Sequence, residues 1–91
     1  MSDVINAQHI LVDQEFEAQD LVKKLNEGVS FEKLAEDFSK CPSGKSGGNL
    51  GNFGKGQMVP EFEQAAFSLD VDQVSAPVKT QFGYHLIKRL K

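Results

Sequence analysis

The chain has a single cysteine, Cys41, in 91 residues. No internal disulfide can form, and a lone thiol fits a reducing compartment, so a cytoplasmic location is expected. No apolar run approaches the ~20 residues of a membrane span. The opening stretch "MSDVINAQHIL" lacks a basic region ahead of an apolar one and does not read as a signal peptide. Positive charge is scarce: ten Lys and Arg against thirteen Asp and Glu give a net charge of −3, with one short basic cluster at Lys88, Arg89 and Lys91. Phosphate contacts supply most of the affinity for nucleic acid, so such a partner is not expected. There are no internal repeats and no room for a second core, and one domain over residues 1–91 is expected. Chains of this size bury only about 60–65% of their unfolded surface, so nearly every large apolar side chain is needed in the core.

What is present divides by period. Val4 to Val12, "VINAQHILV", places Ile5, Ala7, His9 and Leu11 on one face and Ile10 and Val12 on the other, which predicts a central strand. Phe16, Leu21, Val22 and Leu25 are assigned to one face of a helix that starts at Glu15 and ends at Gly28. Ser30 is placed as the N-cap of a second helix with a stripe of Phe31, Leu34, Ala35 and Phe38, stopping before Pro42. Residues 42–57 carry six glycines and predict a loop with a short strand at Asn49 to Phe53. Val59 to Leu69 returns to helix, with Phe62, Ala65, Ala66 and Leu69 inward and Pro60 in its first turn. Val74 to Thr80 and Tyr84 to Leu90 predict a hairpin around "QFG". The order β-α-α-β-α-β-β defines an α+β domain with an antiparallel or mixed sheet.

The stretch "CPSGKSGGNLG", Cys41 to Gly51, contains the Gly-Lys-Ser of a phosphate-cradling loop. That motif needs a glycine five positions earlier, where Ser39 stands, and a strand before it, where the period is helical. The six glycines fit no G-x-G-x-x-G register either, so a nucleotide site is rejected. The chemistry-bearing residues that remain are His9, His85 and Cys41. Either histidine alone reads as a satisfied core residue, Cys41 as a small hydrophobe, and Leu50, Met58 and Phe62 as a satellite core. If the first and last strands pair at the sheet centre, the imidazoles meet on one face. Three chemistries could then use them. A histidine-activated thiol nucleophile would need an orienting third group that no motif announces. A zinc site would need a short-spaced ligand pair, which positions 9, 41 and 85 do not offer. A polar floor under an apolar pocket would need no bond to the substrate.

The pieces "HIL" at 9–11, "CPSGKSGGNLGNFGKGQMVPEFEQAAF" at 41–67 and "VSAPVKTQFGYHLIK" at 74–88, in this element order, resemble the parvulin family of peptidyl-prolyl cis/trans isomerases over essentially the whole chain. The resemblance implies a four-stranded antiparallel sheet wrapped by three to four helices, with two histidines on its inner face. It implies that Leu50, Met58 and Phe62 cradle the substrate's proline ring and that Phe82 lines the same pocket. His9 and His85 would form a central pair, Thr80 would join their hydrogen-bond network, and Cys41 would face the susceptible peptide bond. Ser43, Leu11 and Gln57 would border the site. The family tolerates aspartate at the cysteine position, which implies a non-covalent mechanism. The expectation for this chain is a Cys41–histidine network that tunes the field where the carbonyl turns. No cofactor or metal is implied; the partners are proline-containing or unfolded segments, not membranes, and a monomer is expected. Members that select phosphate before proline use a basic loop after the first strand, whereas "DQEFEAQ" at 13–19 is acidic, so no phosphate requirement is expected. The alternative is a chaperone-like binding module with little turnover.

Overall fold

The computed structural model of the chain describes residues 4–91. Strand β1 spans Val4–Val12 and is followed by helices α1 (Glu15–Asn26) and α2 (Phe31–Phe38). A 3-10 turn over Pro42–Ser46 leads into β2 (Asn49–Gly54), then α3 (Pro60–Ser68), β3 (Val78–Thr80) and β4 (Gly83–Arg89). The four strands form one antiparallel sheet in the order β2-β1-β4-β3, so the two histidine strands are central neighbours. The expected α+β architecture with a four-stranded antiparallel sheet is the one observed.

Alternation along the strands divides the core in two. Ile10, Val12 and Leu86 point to one face and pack with Ala18, Leu21, Phe31, Leu34 and Ala35 of α1 and α2. Ile5, Ala7 and Ile87 point to the other and pack with Phe53 of β2, Phe62 and Ala66 of α3, and Leu69 beyond it. Local signals start the helices. Gln14 and Glu17 form a capping box at α1, and Ser30 Oγ accepts from the Lys33 backbone N–H at 3.1 Å at α2. At the C-terminal end of α1, Gly28 takes φ 103°, the left-handed geometry that closes a helix.

Three expectations are corrected. Phe16, assigned to the buried face of α1, is exposed, and Ala18 takes the inward place. At 100° per residue Phe16 lies about 140° from Leu21, so the helical period itself turns it outward. Phe38 lies on the predicted stripe, but at the last residue of α2, and is also exposed. The strand expected from Val74 begins only at Val78, preceded by an isolated bridge between Val74 and Lys88. Pro77 has no N–H to donate, and Ser75 Oγ, not a backbone carbonyl, accepts from Ile87 N at 3.1 Å, so the ladder is interrupted there.

Candidate active site

The β1–β4 register sets His9 opposite Ile87 and Leu11 opposite His85. All four side chains share one face, so the imidazoles are diagonal neighbours. Their Nδ1 atoms are 3.1 Å apart, with the rings nearly parallel at 18°. At the outer ends, His9 Nε2 lies 3.1 Å from Ser43 Oγ, and His85 Nε2 lies 2.8 Å from Thr80 Oγ1. Thr80 Oγ1 also accepts from the Phe82 backbone N–H at 3.2 Å.

This chain of four side chains is directional. Between two neutral imidazoles, one Nδ1 must donate and the other accept, so the rings hold opposite tautomers. Either Ser43 donates to His9, His9 to His85 and His85 to Thr80, or every bond runs the other way. Both rings stay neutral near pH 7. Burial, and secondly the charge His85 would carry, lower the His9 pKa to about 4, and burial lowers that of His85. Phe62 presents its ring nearly perpendicular to both histidines, with centroids 5.5 Å from His9 and 5.2 Å from His85. The floor is therefore polar but uncharged, with every ring nitrogen occupied.

Above it opens a groove of about 390 Å³. Phe62 and Met58 form one wall with Val59 and Gln57, while Leu50, Cys41, Leu11 and Phe82 complete it. Cys41 and Leu50 come together because the chain between them folds back. Gly44 N–H donates to the Cys41 carbonyl and Gly48 N–H to the Ser43 carbonyl, both at 2.9 Å. Gly48 takes φ 83°, and a Cβ there would run into the His9 carbonyl, so only glycine permits this approach to β1. Phe82 sits at the tip of the β3–β4 turn and is 58% exposed, at the mouth of the groove.

Every residue named from the sequence for this site is thus near the histidine pair, but two relationships differ from expectation. Cys41 is half-buried on the groove wall, and among the described residues no hydrogen bond joins its thiol to either histidine. Its backbone turns it toward the groove, and the bond on His9 comes instead from Ser43, which was assigned only to the border. The backbone return from Gly48 to Ser43 carries that hydroxyl to His9. Val59 was missed; its signal was its place as an apolar residue ahead of Pro60, where extended geometry (φ −60°, ψ 148°) continues the wall begun by Met58. Gln8, buried behind the site, was missed because its strand face reads as core. Among the described residues, no group of three or more His, Cys, Asp or Glu could hold a metal ion.

An apolar groove over a neutral, fully bonded histidine floor offers room for an apolar ring beside a polar bond. A family model for rotamases, the PPIC-type PPIase domain, matches residues 8–91. The foldase protein PrsA of Geobacillus kaustophilus is 53% identical over 85 residues, which make up 92% of this chain and 30% of that protein. The crystal structure of the peptidylprolyl isomerase PrsA from Bacillus anthracis superposes with a TM-score of 0.94 at 49% identity, covering 96% of this chain and 41% of that one. The solution structure of NmPin, the parvulin of Nitrosopumilus maritimus, gives a TM-score of 0.91 at 49% identity and covers 100% of this chain and 99% of that one. The chain belongs to the parvulin family, the PPIC-type peptidyl-prolyl isomerases. It spans about a third of the length of the PrsA foldases that it matches.

Proposed function

We propose that this chain accelerates rotation about X–Pro bonds in unfolded or exposed segments, by gripping the proline ring and without forming a covalent intermediate. The observation that carries this reading is the pairing of the apolar groove with the uncharged histidine floor. Rotation about a peptide bond meets a barrier of about 18–20 kcal/mol because resonance must be broken. The twisted transition state is less polar across C–N than the planar amide, so an apolar cradle favours it over the ground state. Met58, Phe62 and Leu50 hold the ring, and the carbonyl before it turns past Cys41 and the His9–His85 pair. With no histidine bonded to the Cys41 thiol, no base stands ready to generate a thiolate nucleophile. Two-dimensional NMR exchange on a short Ala-Pro peptide tests the reading. Cis/trans cross-peaks at catalytic protein concentration are expected; shift changes without enhanced exchange would instead make the groove a binding module.

The acidic segment after β1 supports a substrate without phosphate before proline. Asp13 pairs with Lys40 at 3.3 Å and so occupies a cation a phosphate could use. Equal or lower exchange on phospho-Ser-Pro than on Ser-Pro is expected; a strong preference for the phosphopeptide would overturn this. The residue before proline, set beside Leu50 and Phe82, is uncharged in this reading. Foldase relatives support unfolded chains as clients. A monomer in a reducing, cytoplasmic setting completes this reading. Light scattering and labelling of the thiol in cells test those two points.

A further inference from the structure

On the face of β1 opposite the groove, Gln8 is buried, and its amide nitrogen donates to Glu32 Oε2 and to the Gly47 carbonyl, both at 3.1 Å. Both partners are acceptors, so only this orientation of the amide satisfies them. Its amide oxygen is buried with no hydrogen-bond partner among the described residues, which destabilises the fold. Methionine would fill much the same space without that oxygen. What the glutamine adds is therefore held by its nitrogen. Glu32 lies in the first turn of α2, where its own backbone N–H and then the Gln8 amide keep its carboxyl below the usual range. The bond from Gln8 is thus charge-assisted.

The segment from Ser43 to Gly48 is gripped at two further points by the very next strand residue. At the strand edge, His9 N–H donates to the Gly48 carbonyl at 2.9 Å. On the groove face, His9 Nε2 meets Ser43 Oγ at 3.1 Å. Successive strand residues face opposite ways, so the segment wraps the edge of β1 and is held from front, edge and back. The fit at the back is close: a Cβ at Gly47 would lie 3.0 Å from Glu32 Cγ.

We propose that Gln8 and Glu32 are positioning residues of the isomerase site, holding Gly47 from behind and so setting where Ser43 meets His9 and where Leu50 meets the proline ring. The proposal rests on the isomerase reading above. It is tested in the intact chain with Gln8→Met, Glu32→Ala and Glu32→Gln, by peptide exchange, imidazole ¹⁵N shifts of His9 and thermal unfolding. Gln8→Met is expected to lower kcat/KM about tenfold through a small displacement of the reacting geometry, to move the His9 signals and to leave Tm unchanged or raised. Glu32→Ala should match it, Glu32→Gln should stay within about twofold because an amide oxygen still accepts, and the double variant should lose no more than either single one. Wild-type kcat/KM with unmoved His9 signals in both Gln8→Met and Glu32→Ala would overturn the proposal. So would an activity loss that only follows a fallen Tm. Glu32→Ala, altered on the solvent side, carries the test if Gln8→Met does not fold. If the unaltered chain catalyses no exchange, the isomerase reading falls, and the His9 signals alone judge the clamp.

Discussion

Ile10, Val12 and Leu86 face α1 and α2, whereas His9, Leu11 and His85, their neighbours in the same strands, face α3 and the groove. The first face is closed over by two helices and holds an apolar cluster. The second is covered by α3 on one side only, and the uncovered part carries four hydrogen-bonded polar side chains inside an apolar rim. Burying polar groups costs free energy unless each finds a partner. The groove face meets that condition by pairing its members with one another, while burial keeps both histidines neutral. Both faces hold core, but the histidine network lies on the front one alone, with one strand serving both.

The largest break in this contrast is expected from Phe62→Ala. It removes the ring that stands edge-on to both histidines and the wall of the groove together. Exchange per folded molecule should drop about a hundredfold, about 2.7 kcal/mol of barrier, besides a loss of stability. The peptide exchange assay, run where the variant is folded, checks it; near-normal turnover would mean that the groove does not grip the ring. Leu34→Ala, on the closed face, should cost about 3 kcal/mol of stability yet leave turnover per folded molecule within about twofold. Denaturant unfolding beside the same assay would separate the two faces.

Acid should also act on the groove face. The folded pKa of His9 is depressed to about 4 from 6.5, so the unfolded chain binds the proton more readily between these values. The contribution is fully present above pH 6.5 and is lost as pH falls through about 4, amounting to about 3 kcal/mol. His85, lowered by burial, acts in the same direction. Urea unfolding between pH 7 and 5, above the main carboxylate range, should show the decline, and a flat profile would contradict it. The smallest effect is expected from Cys41→Asp. Since no histidine bonds to the thiol, activity should stay within about tenfold of the parent, while loss of all turnover with a trapped covalent adduct on the parent chain would restore a nucleophilic role.

Much of this was legible from residue order. Period and capping located β1, α2 and α3, because the buried side of each repeats at its own spacing and Ser30 and Pro60 mark the starts. Tyr84 to Leu90 likewise fell on β4, displaced by one residue. Phe16 was misplaced by grouping an aromatic with a stripe it does not share, and Phe38 by assuming that the stripe stays covered at the helix end. The residues of the groove were readable only as a resemblance, since Leu50, Met58 and Phe62 carry no spacing that separates a pocket wall from core. Ser43 and Gln8 were harder still. Their partners, His9 and Gly47, lie 34 and 39 positions away, and no local rule relates them.

Two histidines placed in strands, a glycine-rich return and apolar faces of the correct period were determined by the sequence alone, because strand alternation and φ freedom are properties of single residues and their neighbours. Which strands adjoin, and therefore that His9 Nδ1 meets His85 Nδ1 and that Ser43, not Cys41, completes the network, was decided by the tertiary structure. Hydrogen bonds form over about 3 Å, and only the packed sheet with its wrapped edge brings side chains so distant in sequence to that range.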